Sequence, residues 1–241
     1  IDALGANTTA DHNVAVGKET LTTNTTGANN VAVGNFALAL NTTANDNTAV
    51  GYSALVANTT GTRNTAVGVD SLRANTTGSY NQGFGQRTLY ANTTGTENVA
   101  MGYLAMDANT TGNYNIGLGI NALGGNTTAN YNTAVGTGAQ IASTTGANNV
   151  SVGAFAGDGI TTGANNVLVG YDAGSDALTT VTTGSNNIVL GNNSTAVFET
   201  KVSLTVGSDE RDKTDIATLP DNAGLNFVNQ MRPVTYVWDN R

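Results

Sequence analysis

A single pattern governs most of this chain: an Asn followed four residues later by a Gly, repeated every 17 residues. The Asn occurs ten times at that step, from Asn13 to Asn166, and the Gly ten times, from Gly17 to Gly170. One more copy, residues 187–191, follows after a step of 21 residues. A fixed period of this length is typical of stacked coils, each of which packs mainly against the coils before and after it.

One coil, numbered from its Asn as position 1, predicts a strand, a corner and a broad turn. Alternation over positions 2 to 4 favours a short strand whose two faces differ, and the Gly at position 5 argues against a helix. The next segment, YSAL at 52–55, fits either a second short strand or a single helical turn. The stretch ANTTGT at 57–62 then supplies turn residues. We therefore expect each repeat to form one rung of a parallel β-solenoid.

The apolar side chains of the repeat are strictly periodic. Position 4 holds Val, Phe, Met or Leu and position 9 is usually Leu, so we expect these two positions to supply most of the apolar contact buried in a trimer. Positions 3 and 8 are mostly small, which suits close packing of chains near a threefold axis. The ten evenly spaced Asn should form one hydrogen-bonded column. With about 4.8 Å between coils, the repeats would make a shaft of roughly 50 Å.

The composition argues against several classes of function. The net charge is −8 and no basic patch occurs, so a nucleic-acid partner is not expected. No stretch approaches about 18 consecutive apolar residues, which argues against membrane insertion. Cysteine is absent, so disulfides do not hold the coils together. The chain opens on Ile1, already within the repeat, and we interpret it as part of a longer protein.

The NxAVG and NxAVGYxAL elements resemble the head repeats of trimeric autotransporter adhesins over residues 7–191. That resemblance implies a left-handed parallel β-roll in which three chains pack about a common axis. The repeat of this chain is longer than the usual one, and the excess fits in the NTTG turn. We therefore expect residues 1–191 to form a homotrimeric β-solenoid shaft of about eleven repeats.

The character of the chain changes after Gly191. Residues 192–207 are rich in β-forming residues and predict a last strand pair that caps the stack. Residues 208–241 contain both prolines and the single Trp. They predict a short helix near 221–231 and a strand at 234–238, and so a short α+β segment after the shaft.

Residues 208–241 resemble the start of the C-terminal intramolecular chaperone domain of phage tail fibres and tailspikes. The matching residues are Ser208, Asp209, Arg211, Lys213, Ile216, Arg232, Pro233, Tyr236 and Trp238. The resemblance implies self-cleavage of the Ser208–Asp209 bond after trimerisation, with Ser208 as nucleophile and Lys213 as base. Asp212 stands where that family commonly has an apolar residue, and its carboxylate would favour the protonated form of Lys213. The family's domain is much longer, so this chain carries a truncated form of it.

Tyr recurs at two fixed places in the repeat. Tyr80, Tyr114 and Tyr131 directly precede the repeat Asn, and Tyr52, Tyr103 and Tyr171 share position 6. A column of Tyr on a polar surface offers flat rings on which sugars can stack. We favour packing between chains for both sets, with the first set as candidate glycan contacts in the alternative.

Other site-like features have simpler explanations. The NTT triplets from Asn7 to Asn126 are formal glycosylation acceptors, but their even spacing favours turn construction. GLGINA at 117–122 mimics a dinucleotide fingerprint, but its glycines fall on repeat positions 3 and 5. His12 has no second His or Cys with which to bind a metal, and the acids at 209–215 lack calcium-loop spacing. No metal and no cofactor are expected.

These patterns predict an all-β structural protein. We expect a homotrimeric phage tail-fibre or spike segment in the virion, with a host-surface glycan or protein receptor and other tail proteins as partners. The alternative is a bacterial trimeric surface adhesin or extracellular filament, which should end in a coiled-coil stalk and membrane anchor instead. Glycan depolymerisation would need paired carboxylates, and acids are sparse along the shaft. Any enzymatic activity is then at most an intramolecular Ser/Lys autoprotease.

Overall fold

A computed structural model describes residues 3–175 and 181–195, and every regular element in those ranges is a strand of three residues. The strands are β1 Val14–Val16, β2 Val31–Val33, β3 Thr48–Val50, β4 Thr65–Val67, β5 Gln82–Phe84, β6 Val99–Met101, β7 Ile116–Leu118, β8 Thr133–Val135, β9 Val150–Val152, β10 Val167–Val169 and β11 Ile188–Leu190. They pair in chain order in one sheet, each parallel to the next. The predicted all-β parallel β-solenoid of 17-residue coils is confirmed.

The repeat sets the register of the sheet. Ala49 pairs with Ala66, and the same offset of 17 residues holds for every pair from β1 to β10. The longer step before β11 does not disturb the match, because Val167 pairs with Ile188. At the strand ends, backbone N–H groups donate to carbonyls of the adjacent coil over 2.7–2.9 Å. Equivalent residues therefore form columns along the stack, as predicted for the Asn.

The segment after the Gly corner is neither a second strand nor a helical turn. Its positions 7 and 9 adopt the left-handed conformation, as in Ser53 (φ +54°) and Leu55 (φ +52°). Backbone hydrogen bonds to the coils on both sides hold it, since Ser53 N donates to Asn35 O and Leu55 N donates to Ser71 O, each over 3.0 Å. This conformation turns the position-9 side chain into the interior of the coil.

Positions 3, 8 and 9 line the interior. The largest buried side chains there are Leu21, Leu38, Leu55, Leu72, Leu89, Met106 and Leu123. Position 9 is buried within the chain as predicted, whereas position 4 is not, and its predicted burial in a trimer stays a prediction. Strand side chains alternate, so when Ala66 faces inward its neighbour Val67 faces outward and is only half-buried. The small residues at positions 3 and 8 pack inside their own coil, so the expectation that they meet at a threefold axis is also wrong.

The Gly at position 5 makes the corner after each strand. Gly68 has φ +135°, which side chains rarely adopt, and a Cβ there would lie 2.4 Å from the carbonyl oxygen of Gly85 in the next coil. Because the same close approach recurs along the stack, the column is Gly in every coil.

Two Asn columns, at positions 1 and 12, close the coils as far as Asn126. Asn64, at position 1, donates from Nδ2 to the Gly78 carbonyl over 2.9 Å, and its Oδ1 accepts the backbone N–H of Asn81 over 3.0 Å. Asn75, at position 12, donates to the same Gly78 carbonyl and to Asn58 Oδ1, both over 2.9 Å. One carbonyl thus accepts two side-chain amides, and each amide is also tied to an adjacent coil.

A polar layer interrupts the core near β8 and β9. It consists of Gln140, Ser143 and Ser151, all fully buried, with Gln140 Nε2 donating to Ser151 Oγ over 3.0 Å. The position-12 Asn column ends here, because Ser143 takes the next place after Asn126. Gln140 Oε1 and Asn126 Oδ1 are buried with no hydrogen-bond partner among the described residues. Both unpaired oxygens lie where the residue type changes from one coil to the next. Position 9 changes from Leu123 to Gln140, and position 12 changes from Asn126 to Ser143.

Beyond the polar layer the core is built from different positions. Position 9 becomes Gly157 and Gly174, while Ile160 and Val181 occupy position 12 and Leu168 occupies position 3. A Cβ on Gly174 would lie 2.2 Å from a Leu168 methyl group. Leu168, at position 3, therefore fills the space that the position-9 Leu side chains fill in earlier coils.

The described residues belong to a compact unit that spans Ile1–Ala196. Most of the predicted capping segment 192–207 lies outside the described residues. The helix predicted near 221–231 and the strand predicted at 234–238 lie outside them as well.

Candidate functional site

A varied row of exposed side chains stands at position 17, directly before each repeat Asn. Every described residue there is left-handed, with φ between +57° and +63°, so the side chains leave the backbone in one direction. This position-17 column contains His12, Asn29, Asp46, Arg63, Tyr80, Glu97, Tyr114, Tyr131, Asn148, Asn165 and Asn186. Stacking of the coils thus gathers residues far apart in sequence into one surface row.

The structure brings together two of the three Tyr predicted as glycan contacts. The rings of Tyr114 and Tyr131 are stacked, with centroids 4.9 Å apart and planes inclined by 2°. Tyr80 lies apart from them, with Glu97 in the coil between. The negative charge of the Glu97 carboxylate raises the pKa of Tyr114. The predicted column is therefore one stacked pair and one separate ring.

Polar contacts connect the residues of the column from Asn29 to Tyr80. Asn29 Nδ2 donates to Asp46 Oδ1 over 3.2 Å, and Asp46 forms an ion pair with Arg63 over 3.7 Å. The Arg63 guanidinium lies 5.3 Å from the Tyr80 ring centroid and donates to the Tyr80 hydroxyl. These exposed contacts contribute little to stability, but they give Tyr80 a charged neighbour in its own chain.

The Tyr residues at position 6 do not form a second stacked row. Tyr52, Tyr103 and Tyr171 stand three and four coils apart. Tyr52 meets Phe36 edge-on at 5.8 Å, and Tyr171 meets Phe155 edge-on at 6.2 Å. Tyr52 and Tyr171 thus each pack on a Phe one coil away.

Sequence reasoning missed an Arg–Tyr cluster on the segment after the Gly corner. Tyr90 contacts two guanidinium groups, with Arg87 at 4.4 Å and Arg73 at 5.7 Å from its ring centroid. Arg73 also donates to the Tyr90 hydroxyl over 2.7 Å and pairs with Asp70 over 3.3 Å. Burial raises the pKa of Asp107, against the opposing charge of Arg87. The 17-residue spacing of Arg73, Tyr90 and Asp107 was the available signal, and the cluster links coils to one another.

The Asn residues of the NTT triplets are structural. From Asn24 to Asn126 they are fully buried. Asn58 Nδ2, for example, donates to Asn41 Oδ1 over 3.1 Å and to Gly61 O over 2.9 Å. A glycan on that nitrogen would replace one of the two donated hydrogens and would need space that the buried site lacks, so turn construction is confirmed as their function.

Within residues 3–175 and 181–195, no three His, Cys, Asp or Glu side chains lie together as a metal site. No helix in that part of the chain has the length and apolarity needed to cross a bilayer.

Ser208, Lys213 and the Ser208–Asp209 bond lie outside the described residues. Residues 208–241 match the protein family described as the chaperone of endosialidase. No curated protein and no solved structure matches the chain. The match begins at the predicted nucleophile and is confined to the C-terminal segment.

Proposed function

We propose that this chain is a segment of a homotrimeric phage tail fibre or tailspike that attaches the virion to its host. The observation that carries the proposal is the sequence match to the chaperone of endosialidase, which begins soon after a long parallel β-solenoid ends. A stack of eleven hydrogen-bonded strands suits a stiff spacer that holds a binding surface away from a particle. Its partners are then a host-surface glycan or protein receptor and other tail proteins.

The outward face of the sheet supports a trimer. Position 4 forms an apolar stripe along the stack, and Val16, Met101, Val152 and Val169 are between 39% and 58% exposed. Soluble monomers seldom expose long contiguous apolar patches. Three copies packed around a common axis would bury the stripe, so position 4 replaces positions 3 and 8 as the physical reason for trimerisation.

Self-cleavage is a second part of the proposal. Ser208 supplies the nucleophilic hydroxyl and Lys213 the base, the Asp209 amine leaves with the chaperone segment as the Ser208–Asp209 bond breaks, and water hydrolyses the resulting ester to leave a carboxylate on Ser208. Ser208→Ala and Lys213→Ala should each leave the segment attached while assembly survives. Mass spectrometry of the mature protein checks this, because cleavage leaves Ser208 as the new C-terminus. Intact peptides that span Gly207 to Lys213 would leave the segment an assembly function only.

Labelling of the intact assembly tests the location. An antibody against the repeat unit, imaged by electron microscopy on particles and on cells, should mark the virion tail. Label on the bacterial envelope and none on virions would overturn the tail-fibre proposal.

That second outcome would favour a bacterial trimeric surface adhesin or extracellular filament. The observation behind this alternative is the resemblance of the repeats to adhesin heads. The match at 208–241 argues against it, because an adhesin should continue into a stalk and an anchor.

A further inference from the structure

We propose that the exposed face of Tyr131, together with the amides of Asn148 and Asn165 above it, binds a neutral pyranose oligosaccharide. This inference rests on the attachment function proposed above and names its ligand class and its site. The source of the ligand is a glycan on the surface to which the fibre attaches.

The first support is that two bulky residues occupy adjacent left-handed positions on the surface. Left-handed backbone suits Asn and Asp, which occupy five of the eleven described places in the position-17 column. A bulky residue in that region is an outlier, yet Tyr114 and Tyr131 occupy adjacent coils there. Their rings touch each other but remain 44% and 58% exposed. The stack imposes this backbone on every coil, so it is the choice of two exposed Tyr over Asn that needs a reason outside the fold.

The second support is the shape of the pair. Both ring planes are nearly parallel, and Tyr114 covers only one face of Tyr131. The next residue in the column is Asn148, whose side chain is shorter than a Tyr ring, so the outer part of the other face stays open. An open ring face attracts the C–H groups of a sugar ring through its negative quadrupole.

The third support is the chemistry around the platform. The column continues with the exposed amides of Asn148, Asn165 and Asn186, which both donate and accept hydrogen bonds as sugar hydroxyls do. From Tyr80 to Asn186 the column holds no Lys or Arg, and Glu97 adds a negative charge beside Tyr114. An acidic sugar would find no counter-charge in the column, so the site selects a neutral one.

The test measures binding of the full chain to an array of neutral and acidic oligosaccharides, followed by titration of the best neutral ligand. Tyr131→Asn introduces the residue that the same column uses elsewhere, so the fold should survive. We expect this variant to bind about tenfold more weakly, and Tyr131→Trp to retain binding. Tyr103→Asn is the matched control and should bind as the wild type, because Tyr103 is similarly exposed but stands at position 6, outside the column.

Four results would overturn the inference. In the first, the wild type binds no neutral glycan; in the second, Tyr131→Asn binds as strongly as the wild type. In the third, the wild type prefers acidic glycans; in the fourth, Tyr131→Asn has a different sedimentation coefficient from the wild type. The last would mean that the pair packs against a second copy of the chain. An assembled fibre that binds no glycan would overturn this inference alone, whereas a chain that never assembles would count against the proposed function.

Discussion

Three non-glycine residues in most coils adopt the left-handed conformation, at positions 7, 9 and 17. Each such residue costs about 1–2 kcal/mol relative to ordinary backbone. Residue type does not explain the choice, since position 7 includes Phe36, Asp70 and Arg87. The stack enforces the conformation through hydrogen bonds to the coils on both sides. These turns could not be predicted from one repeat because their cause lies in the neighbouring coils.

The Gly column gives a test at the residue scale. Gly68→Ala should cost about 3 kcal/mol or more, because φ is +135° and the new Cβ would meet the Gly85 carbonyl oxygen at 2.4 Å. The measurement is the free energy of unfolding by chemical denaturation. Gly159→Ala is the control, because a Cβ there would meet no atom within 4 Å, and it should change stability by less than about 1 kcal/mol. Equal effects of the two variants would contradict this explanation of the corner.

The buried Asn column predicts a pH-dependent defect. Asn64→Asp keeps the shape but loses the donor to the Gly78 carbonyl and buries a carboxylate, which should cost about 3 kcal/mol at pH 7. Burial would raise the pKa of the new Asp above its unfolded value. The folded state then binds more protons, so the deficit relative to the wild type grows as pH rises and shrinks towards pH ~4. Thermal unfolding at several pH values measures it. The control is Asn148→Asp at an exposed position, and a deficit independent of pH would contradict the argument.

At the scale of elements, the 17-residue period predicted the strands, their parallel pairing and the Asn column. Each follows from repetition, because equivalent residues must occupy equivalent places. The period alone did not show which positions face inward. Val67 and Leu72 look alike as apolar residues, but strand alternation turns Val67 outward and a left-handed turn carries Leu72 inward. The polar layer was also missed, because it is a local departure from the repeat.

That polar layer predicts a stabilising change. Gln140→Leu with Ser151→Ala restores the residues that other coils use at positions 9 and 3 and removes the unpaired Gln140 Oε1. We expect the double variant to gain about 1–2 kcal/mol of unfolding free energy. The reverse change in an apolar coil, Leu123→Gln, should lose about 3 kcal/mol. Destabilisation by the double variant would mean that the layer is better satisfied than its hydrogen bonds indicate.

At the scale of the whole molecule, the inward and outward columns separate folding from assembly. Leu72→Asp places a charge in the closed interior and should prevent the chain from folding. Val67→Asp places the same charge on the outward stripe, so the monomer should fold but fail to trimerise. Circular dichroism reports the fold and analytical ultracentrifugation reports the mass. A folded wild-type monomer at high concentration would remove the case for a trimer.

The candidate site was only partly predictable. The shared repeat position of Tyr114 and Tyr131 was visible in the sequence, and their adjacency followed once the coils stacked. Tyr80 is separated from that pair by Glu97, which acts on Tyr114. The contact between the Tyr80 ring and Arg63 became clear only in three dimensions. Ser208 and Lys213 rest on motif matching, because no repeated column reaches them.

The constant offset between strands has a kinetic consequence. An offset of 17 residues in a chain of 241 gives the sheet contacts a relative contact order of about 0.07, a value usual for helical bundles. Each coil closes a loop of the same modest entropy, so structure can grow coil by coil while the chain is still being synthesised. Deleting residues 64–80, one whole repeat, should leave the refolding rate of the monomer nearly unchanged in stopped-flow measurements. Association of three chains, and not the folding of each one, would then be the rate-limiting step of fibre assembly.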